Sequence, residues 1–244
     1  MLAQAGYYYS GRGLGGLSFD WTYLLAIAGL ILTMIASAHV KTVFASFNKV
    51  RSVTGLTGRT AARAVLDSQG LGNVAIEHVS GSLTDHYDPR TKTLRLSDST
   101  YASPSVAAIC VAAHECGHAV QDQKQYGPLV LRSTLVPISN FGSQASWPVF
   151  LAGLLFGFQP LLTAGIVLFC LAVLFQLVTL PVEFDASARA LRILRDNGIM
   201  PEDELKGGRK VLTAAALTYV AALASSLLQL LRLIMLANRG RRRD

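Results

Sequence analysis

The sequence predicts a mainly α-helical protein whose integral membrane helices carry a small α+β module with a short sheet. Of the 244 residues, 51% are apolar and 15% are charged, whereas soluble domains are about one quarter charged. Long apolar runs occupy residues 21–43, 141–182 and 211–237. Residues 44–140 instead show the capping and alternation signals of short helices and strands, which indicates a soluble module.

The first apolar run, residues 21–43, predicts membrane helix 1. Its length suits one crossing, with Trp21 and Tyr23 as interfacial anchors and Lys41 near the far end. The N-terminal tail, residues 1–20, has no basic segment before an apolar core, so we do not expect a cleaved signal peptide.

The module at residues 44–140 has signals for two helices and two strands. Thr57 or Thr60 suits the start of the first helix, and Pro104 suits the first turn of the second. In chain order we predict an amphipathic helix at 57–70, a strand at 74–79, a polar loop at 81–90, a half-exposed strand at 93–97 and a helix at about 105–124.

The C-terminal half predicts three further helical regions. Residues 141–182 suggest a membrane hairpin (helices 2 and 3) with a tight turn at 157–160. Residues 183–210 suggest a charged helix that begins near Glu183, followed by a polar loop. Residues 211–237 form apolar helix 4, whose many Ala and Ser side chains favour close helix packing, and residues 238–244 form a basic tail.

Clusters of Lys and Arg give the chain a net charge of +7. The clusters follow the first and third apolar runs, so the positive-inside rule places the module on the cytoplasmic side. A fourth crossing would then put the basic tail outside, unless helix 4 is re-entrant or partly buried in protein, or the rule fails there. Basic residues are not interleaved with aromatic ones, so we expect lipid headgroups as partners and no nucleic acid.

The motif HECGH at residues 114–118 carries the strongest chemical signal. His114 and His118 are four residues apart, which places both rings on one helix face at the spacing that can bind one zinc ion. Glu115 would then act as the general base towards a water molecule. Alternatively, the two His only form hydrogen bonds with their neighbours. The three Cys have no paired spacing, so we expect neither disulfides nor a Cys-type zinc site.

A catalytic zinc ion needs a third protein ligand. Glu183 is the preferred candidate because it lies at the membrane boundary among apolar neighbours, where a lone carboxylate is costly to bury. Alternatively, Glu183 is an acid in the first turn of a helix, stabilised by the helix dipole. The other candidates are His39, His78, His86, Asp122 and Asp185.

Several other residues could contact a substrate. His86, Tyr87 or Tyr219 could stabilise a tetrahedral intermediate. The alternatives are a simple turn around residues 84–89 and, for Tyr219, a packed core position. Leu94, Arg95 and Leu96 could form an edge strand that pairs with an extended peptide, or only a structural strand.

These motifs resemble a known group of enzymes. HECGH together with EFDASARA at residues 183–190 resembles the gluzincin membrane proteases, the CAAX prenyl protease and HtpX group. The resemblance to the YugP family of neutral zinc metallopeptidases of bacterial membranes is closer and covers nearly all of the chain from about residue 40. It rests on SLTDHYDPR at 82–90, LSD at 96–98, AAHE at 112–115, LRS at 131–133 and LVTLPVEF at 177–184.

The resemblance implies roles for individual residues. His114, His118 and Glu183 would bind one Zn²⁺ per chain, with Glu115 as the base. In the prenyl protease group an Asp four residues after the ligand Glu supports a ligand His, and Ser187 stands there in this sequence. Ser187 or Asp185 would therefore have to take over this support, although Asp185 is expected on a different helix face.

The expected function is that of a zinc-dependent endopeptidase embedded in the cell membrane as a multi-pass protein. Its expected substrate is a membrane-associated peptide or protein, because the predicted site lies close to the bilayer. The alternative is a zinc-binding membrane protein with a regulatory or scaffold role and no turnover.

Overall fold

The computed structural model describes the backbone of residues 20–240 and the side chains of residues 20–238. The predicted tails therefore fall almost entirely outside the described residues. In chain order the elements are α1 (Tyr23–Asn48), α2 (Gly58–Ser68), β1 (Ala75–Val79), β2 (His86–Asp88), β3 (Thr93–Ser97), α3 (Val106–Gln123), α4 (Gly127–Phe156), α5 (Gln159–Asp196) and α6 (Glu202–Gly240). The prediction of a mainly α protein with membrane helices and a small sheet is confirmed.

Three of the described helices, α1, α5 and α6, are long and apolar enough to cross a membrane. Helix α6 runs antiparallel beside α1. Gly29 of α1 meets Ser225 of α6, and Phe44 packs with Val211 at the other end of the pair. The segment 211–237, predicted as apolar helix 4, lies within α6. It is continuous helix over its described length and not a re-entrant loop.

Helices α4 and α5 form the predicted hairpin, but with other bounds. Helix α4 begins at Gly127 instead of near residue 141, and it is not among the three helices that meet the criteria of length and hydropathy. Gly157 ends α4 with a positive φ of 63°, a conformation that favours glycine, and Pro160 already lies in the first turn of α5. Gly153 packs directly on Leu162, so the two arms approach closely beside the turn.

The prediction that a new helix begins near Glu183 is wrong. Helix α5 continues through Pro181, and Glu183 lies in its interior. The helix dipole therefore cannot stabilise the Glu183 carboxylate, because its effect is confined to the first turn of a helix. A proline costs an interior helix about 3 kcal/mol, and packing of α5 against α3, α4 and α6 offsets this cost. Residues 202–210, predicted as a loop, form the start of α6.

The module that the sequence predicts as soluble contains α2, α3 and the three-stranded sheet. Thr57 caps α2 through a reciprocal capping box with Thr60, as the sequence suggested. The strand order is β1–β3–β2, with β1 parallel and β2 antiparallel to β3. Strand β2 was not predicted, because its three residues lie in a polar segment and become a strand only by pairing with β3.

The prediction of an edge strand at Leu94, Arg95 and Leu96 is also wrong. Strand β3 is central and forms hydrogen bonds with a neighbour on each side. Its backbone therefore has no free edge for a peptide. The strand is also more buried than predicted, since Leu94 and Leu96 are fully enclosed by α2 and α3 in the main apolar core.

Candidate metal centre

Helix α3 positions the HECGH motif. Ser105 caps this helix by accepting a hydrogen bond from the backbone N–H of Ala108 at 3.1 Å. His114 and His118 lie one turn apart on the same face, with ring centroids 4.8 Å apart. The remainder of α3 is largely buried between α2 and α5, so the two rings have a rigid support.

Glu183 of α5 faces the two His rings. Its Oε2 lies 3.4 Å from Nε2 of His114 and 3.7 Å from Nε2 of His118. The three side chains form a group in which one ligand atom from each lies within 4.8 Å of the others. The residue is only 3% exposed, so its carboxylate needs a charged or hydrogen-bonding partner.

These distances leave room for an ion. Both N···O distances from Glu183 to the His rings exceed the 2.7–3.2 Å of a normal N–H···O hydrogen bond. The three candidate ligand atoms therefore converge without bonding directly to one another. Two imidazole nitrogens and one carboxylate oxygen are a ligand set that catalytic zinc uses. The residues present therefore fit the metal that the sequence predicted.

Gly117 allows α3 and α5 to come this close. A Cβ atom at Gly117 would lie 2.5 Å from the carbonyl oxygen of Ala186 on α5. Ala186 is in turn three residues from Glu183, one turn along the same helix. The small residue between the two His is therefore required for the contact that brings Glu183 to the site.

We predict that Gly117→Ala destabilises the protein and weakens metal binding. The added methyl group must push α5 away from α3, at a cost of about 1–3 kcal/mol in the free energy of unfolding. Thermal unfolding and a zinc titration measure the two effects. Gly127→Ala is the control, because a Cβ there meets no atom within 4 Å. Equal behaviour of the two variants would contradict the prediction.

In both His, the outer ring nitrogen Nδ1, which points away from the candidate metal position, lies within hydrogen-bond distance of another side chain. Nδ1 of His114 lies 3.0 Å from Oγ of Ser187, and Nδ1 of His118 lies 3.0 Å from Oε1 of Gln121. Because an amide oxygen only accepts, Nδ1 of His118 donates, and in the neutral imidazole Nε2 is then unprotonated and directed at the site. Ser187 thus lies where the prenyl protease group has an Asp.

Gln121 links this support to α5. Its Nε2 donates to the backbone carbonyl of Val182 and to Oδ2 of Asp185, both at 2.8 Å. Asp185 therefore contacts the site through Gln121 and not through a His directly. Sequence reasoning missed Gln121; its signal is a hydrogen-bonding side chain three positions after His118, a spacing that places both on one helix face.

Glu115 lines the same cavity as the three candidate ligands, with a volume of about 300 Å³. Burial raises the pKa of the Glu115 carboxyl, while the nearby His114 and His118 act in the opposite direction. A raised carboxyl pKa is suited to taking up and returning a proton near neutral pH. Glu115 therefore has both the place and the environment of a general base.

The other predicted contact residues differ in position. His86 borders the cavity, with Nδ1 2.9 Å from the carbonyl oxygen of Thr84. Tyr87 also borders it, but its hydroxyl donates to Asp122 at 2.7 Å, and burial raises its pKa. Tyr219 of α6 borders this cavity and a neighbouring one that contains Glu115 and Ser187. Tyr219 is therefore the better placed of the two tyrosines.

The remaining ligand candidates lie elsewhere. His78 pairs with Asp98 at 2.6 Å, and Asp122 binds Lys92 as well as Tyr87. His39 borders a different cavity. Arg132 of α4 was not predicted, yet it borders the site, with Nη1 3.7 Å from Oε1 of Glu183. Its position depends on how α4 packs, which the local sequence does not show.

Comparisons with known proteins assign the chain to a family. Residues 22–238 match the family described as "Putative neutral zinc metallopeptidase". A relative from Bacillus subtilis (strain 168), described as "Putative membrane protease YugP", is 49% identical over 217 residues, which cover 89% of this chain and 96% of the relative. Among solved structures, no match was found.

Proposed function

Because the chain belongs to this family of neutral zinc metallopeptidases, we propose that it is a zinc-dependent endopeptidase of the gluzincin type, embedded in the membrane. His114, His118 and Glu183 would hold one zinc ion per chain. The observation that carries the proposal is the convergence of these three side chains beside Glu115, with the outer nitrogens of both His already bound.

A zinc ion bound there supplies a Lewis acid that polarises a carbonyl group and activates water. Glu115 takes the proton from the attacking water and returns it to the leaving nitrogen of the peptide. Ser187 and Gln121 keep the imidazoles of His114 and His118 in the orientation that directs Nε2 inward. The chain thus provides ligands, orientation and a proton carrier within one cavity.

Charge that develops on the scissile carbonyl oxygen needs donors besides the metal. We assign this task to the hydroxyl of Tyr219, which interacts with Glu183 beside the candidate ligands, whereas the hydroxyl of Tyr87 binds Asp122, which does not border the cavity. Arg132 adds positive charge to the same wall of the cavity, where it lies within 4 Å of Glu183. His86, which borders the cavity as well, is a second polar side chain within reach of a substrate.

The substrate strand is assigned to β2 in place of β3. Among the described strands, β2 (His86–Asp88) lies at an edge of the sheet, and His86 and Tyr87 border the cavity. An extended peptide that pairs with this edge would pass the candidate ligands. Pairing through the backbone gives affinity with little dependence on sequence. Tyr87 and Lys92 fasten this edge to α3 through Asp122.

We infer a multi-pass membrane protein with the catalytic module on the cytoplasmic side. Lys41, Lys49 and Arg51 lie near the end of α1, which the positive-inside rule assigns to the cytoplasm. The antiparallel course of α6 beside α1 then carries the described end of α6, near residue 238, to the other face. Substrates would be membrane proteins or membrane-bound peptides, since Glu183 lies on one of the candidate spans.

Zinc analysis of the purified full-length protein tests the proposed metal site. We expect about one zinc per chain, loss of zinc in His114→Ala, and retention in His78→Ala, because His78 pairs with Asp98 away from the site. Wild-type protein without stoichiometric zinc would refute the proposal. Bound zinc without any peptide cleavage would favour the regulatory or scaffold alternative.

A further inference from the structure

A second cavity, which shares no residue with the candidate metal centre, lies between α1, α5 and α6. Its volume of about 760 Å³ lies in the range of small-molecule sites. A recess of about 330 Å³ between α5 and α6 shares Leu191, Arg195 and Arg209 with it. The two together form a groove between membrane helices, which we call the basic groove.

Cations dominate the polar wall of the basic groove. Arg195, Lys206, Arg209 and Lys210 border the larger cavity, and Arg192 borders the recess. Arg195 pairs with Glu202 at 3.3 Å, and Lys206 pairs with Asp203 at 2.8 Å. Within residues 20–238, no ion pair is formed by Arg192, Arg209 or Lys210. The groove therefore has positive charge in excess of its own acids, which suits an anionic ligand.

The apolar lining of the larger cavity comes from α1 and α6. It includes Val43 and Phe47 of α1 and Leu205 and Leu217 of α6. Gly207 permits the close approach of α6 to α1, since a Cβ atom there would lie 2.6 Å from the ring of Phe47. The hydroxyls of Thr42 and Ser46 bond to carbonyls of their own helix, so they add little polarity.

The residues of the basic groove also have defined positions along the length of the spans. Because α1 and α6 are antiparallel, the pairs Gly29–Ser225 and Phe44–Val211 fix their register. Lys206, Arg209 and Lys210 therefore lie towards the charged end of the spans, and His39 and Leu217 lie towards their middle. A ligand in the groove would have its charge at the membrane surface and its apolar part along the spans.

We propose that the basic groove binds an anionic glycerophospholipid from the leaflet that faces the charged end of the spans. The phosphate would lie between Arg209, Lys210 and Arg192, and an acyl chain would follow Val43 and Leu217. Basic pockets between membrane helices on this side are suited to anionic headgroups. The assignment stands on the charge and shape of the groove, and it does not depend on whether the protein cleaves peptides.

Native mass spectrometry of the full-length protein in detergent tests the proposal. Wild type is titrated with phosphatidylglycerol and with phosphatidylcholine of the same acyl chains, and we expect tighter binding of phosphatidylglycerol. The double variant Arg209→Gln, Lys210→Gln should weaken this binding about 25-fold, since each cation beside an anionic headgroup contributes about fivefold. Each single variant should weaken it about threefold to fivefold, which covers the case of a misfolded double variant.

The matched control is Lys41→Gln, Lys49→Gln. It removes the same charge at the same end of the spans, but neither side chain borders the groove. We expect this control to keep phosphatidylglycerol affinity within about twofold of wild type, because the charges lie outside the site. Equal losses in both double variants would show diffuse surface attraction and overturn the proposal.

Three other results would also overturn it. The first is unchanged phosphatidylglycerol affinity in the folded Arg209→Gln, Lys210→Gln variant. The second is equal binding of phosphatidylcholine by wild type. The third is complete displacement of the lipid by glycerol phosphate at the same concentration, which would indicate a soluble anion. Zinc content, measured on the same samples, reports separately on the metal centre and distinguishes a failure there from a failure of the lipid site.

Discussion

Replacing Glu115 with Gln is expected to reduce peptide hydrolysis by about 10²–10⁴-fold, the usual contribution of a general base. Gln has nearly the same shape as Glu but cannot accept the proton of the attacking water. The three candidate ligands are unchanged in this variant, so zinc should remain bound. Cleavage of a fluorescent casein by the detergent-solubilised protein, together with zinc analysis, measures the two properties on one sample.

The matched control for this variant is Glu77→Gln. Glu77 lies on β1, pairs with Arg95 at 3.0 Å and does not border the cavity of the metal centre. Exposed pairs of this kind contribute little to stability, so the control should keep wild-type activity. If Glu115→Gln cleaves as fast as Glu77→Gln, Glu115 is not the base. A comparison of membrane proteins from cells with wild type or Glu115→Gln would then show no accumulated substrates.

Replacing Glu183 with Ala is expected to lower zinc affinity by more than about 100-fold. The loss should exceed the 10–100-fold that follows when a residue behind a ligand is removed. The variant also leaves Arg132 without the carboxylate that it approaches at 3.7 Å, and it leaves the partly buried His114 and the buried His118 facing an empty space. Competition with a chelating dye measures the affinity, and Glu183→Gln, which preserves the volume, covers a possible loss of folding.

Asp185→Ala provides the comparison within the same helix. Asp185 accepts a hydrogen bond from Gln121 and pairs with Arg189, but it does not belong to the three-residue group. We expect its removal to weaken zinc binding by about tenfold, less than the removal of Glu183. Undiminished zinc binding in Glu183→Ala would contradict the assignment and move the ligand role to Asp185 or His86.

The elements that were predicted well are those whose signals lie within a few residues. Thr57, one of the two predicted start residues, caps α2 through a hydrogen bond that spans three positions. The predicted start of α3 at about residue 105 is also close, although Pro104, expected in its first turn, precedes the cap residue Ser105. The spacing of His114 and His118 likewise shows that they share a face. The apolar runs gave the membrane helices because burial in lipid depends on composition and length alone.

Predictions that depended on a distant partner were incomplete or wrong. Strand β2 exists because β3 lies beside it, and β3 is central because β1 pairs with its other edge. Glu183 lies inside α5 because packing on both sides of Pro181 carries the helix through a residue that usually ends one. In each case the deciding energy comes from residues far away in sequence.

In the candidate site, too, some features follow from the sequence and others only from the packing of distant segments. The sequence by itself indicated the apolar helices, the shared face of His114 and His118 on α3 and, by resemblance, Glu183 as the candidate third ligand. Only the tertiary structure decided that Gln121 and Ser187 support the His rings, that Tyr219 and Arg132 border the cavity, and that β2 is the edge beside it. Local hydrogen bonds and helix periodicity depend on residues a few positions apart, so the sequence shows them. A cavity depends on how distant helices pack together, and no single segment of the sequence shows that packing.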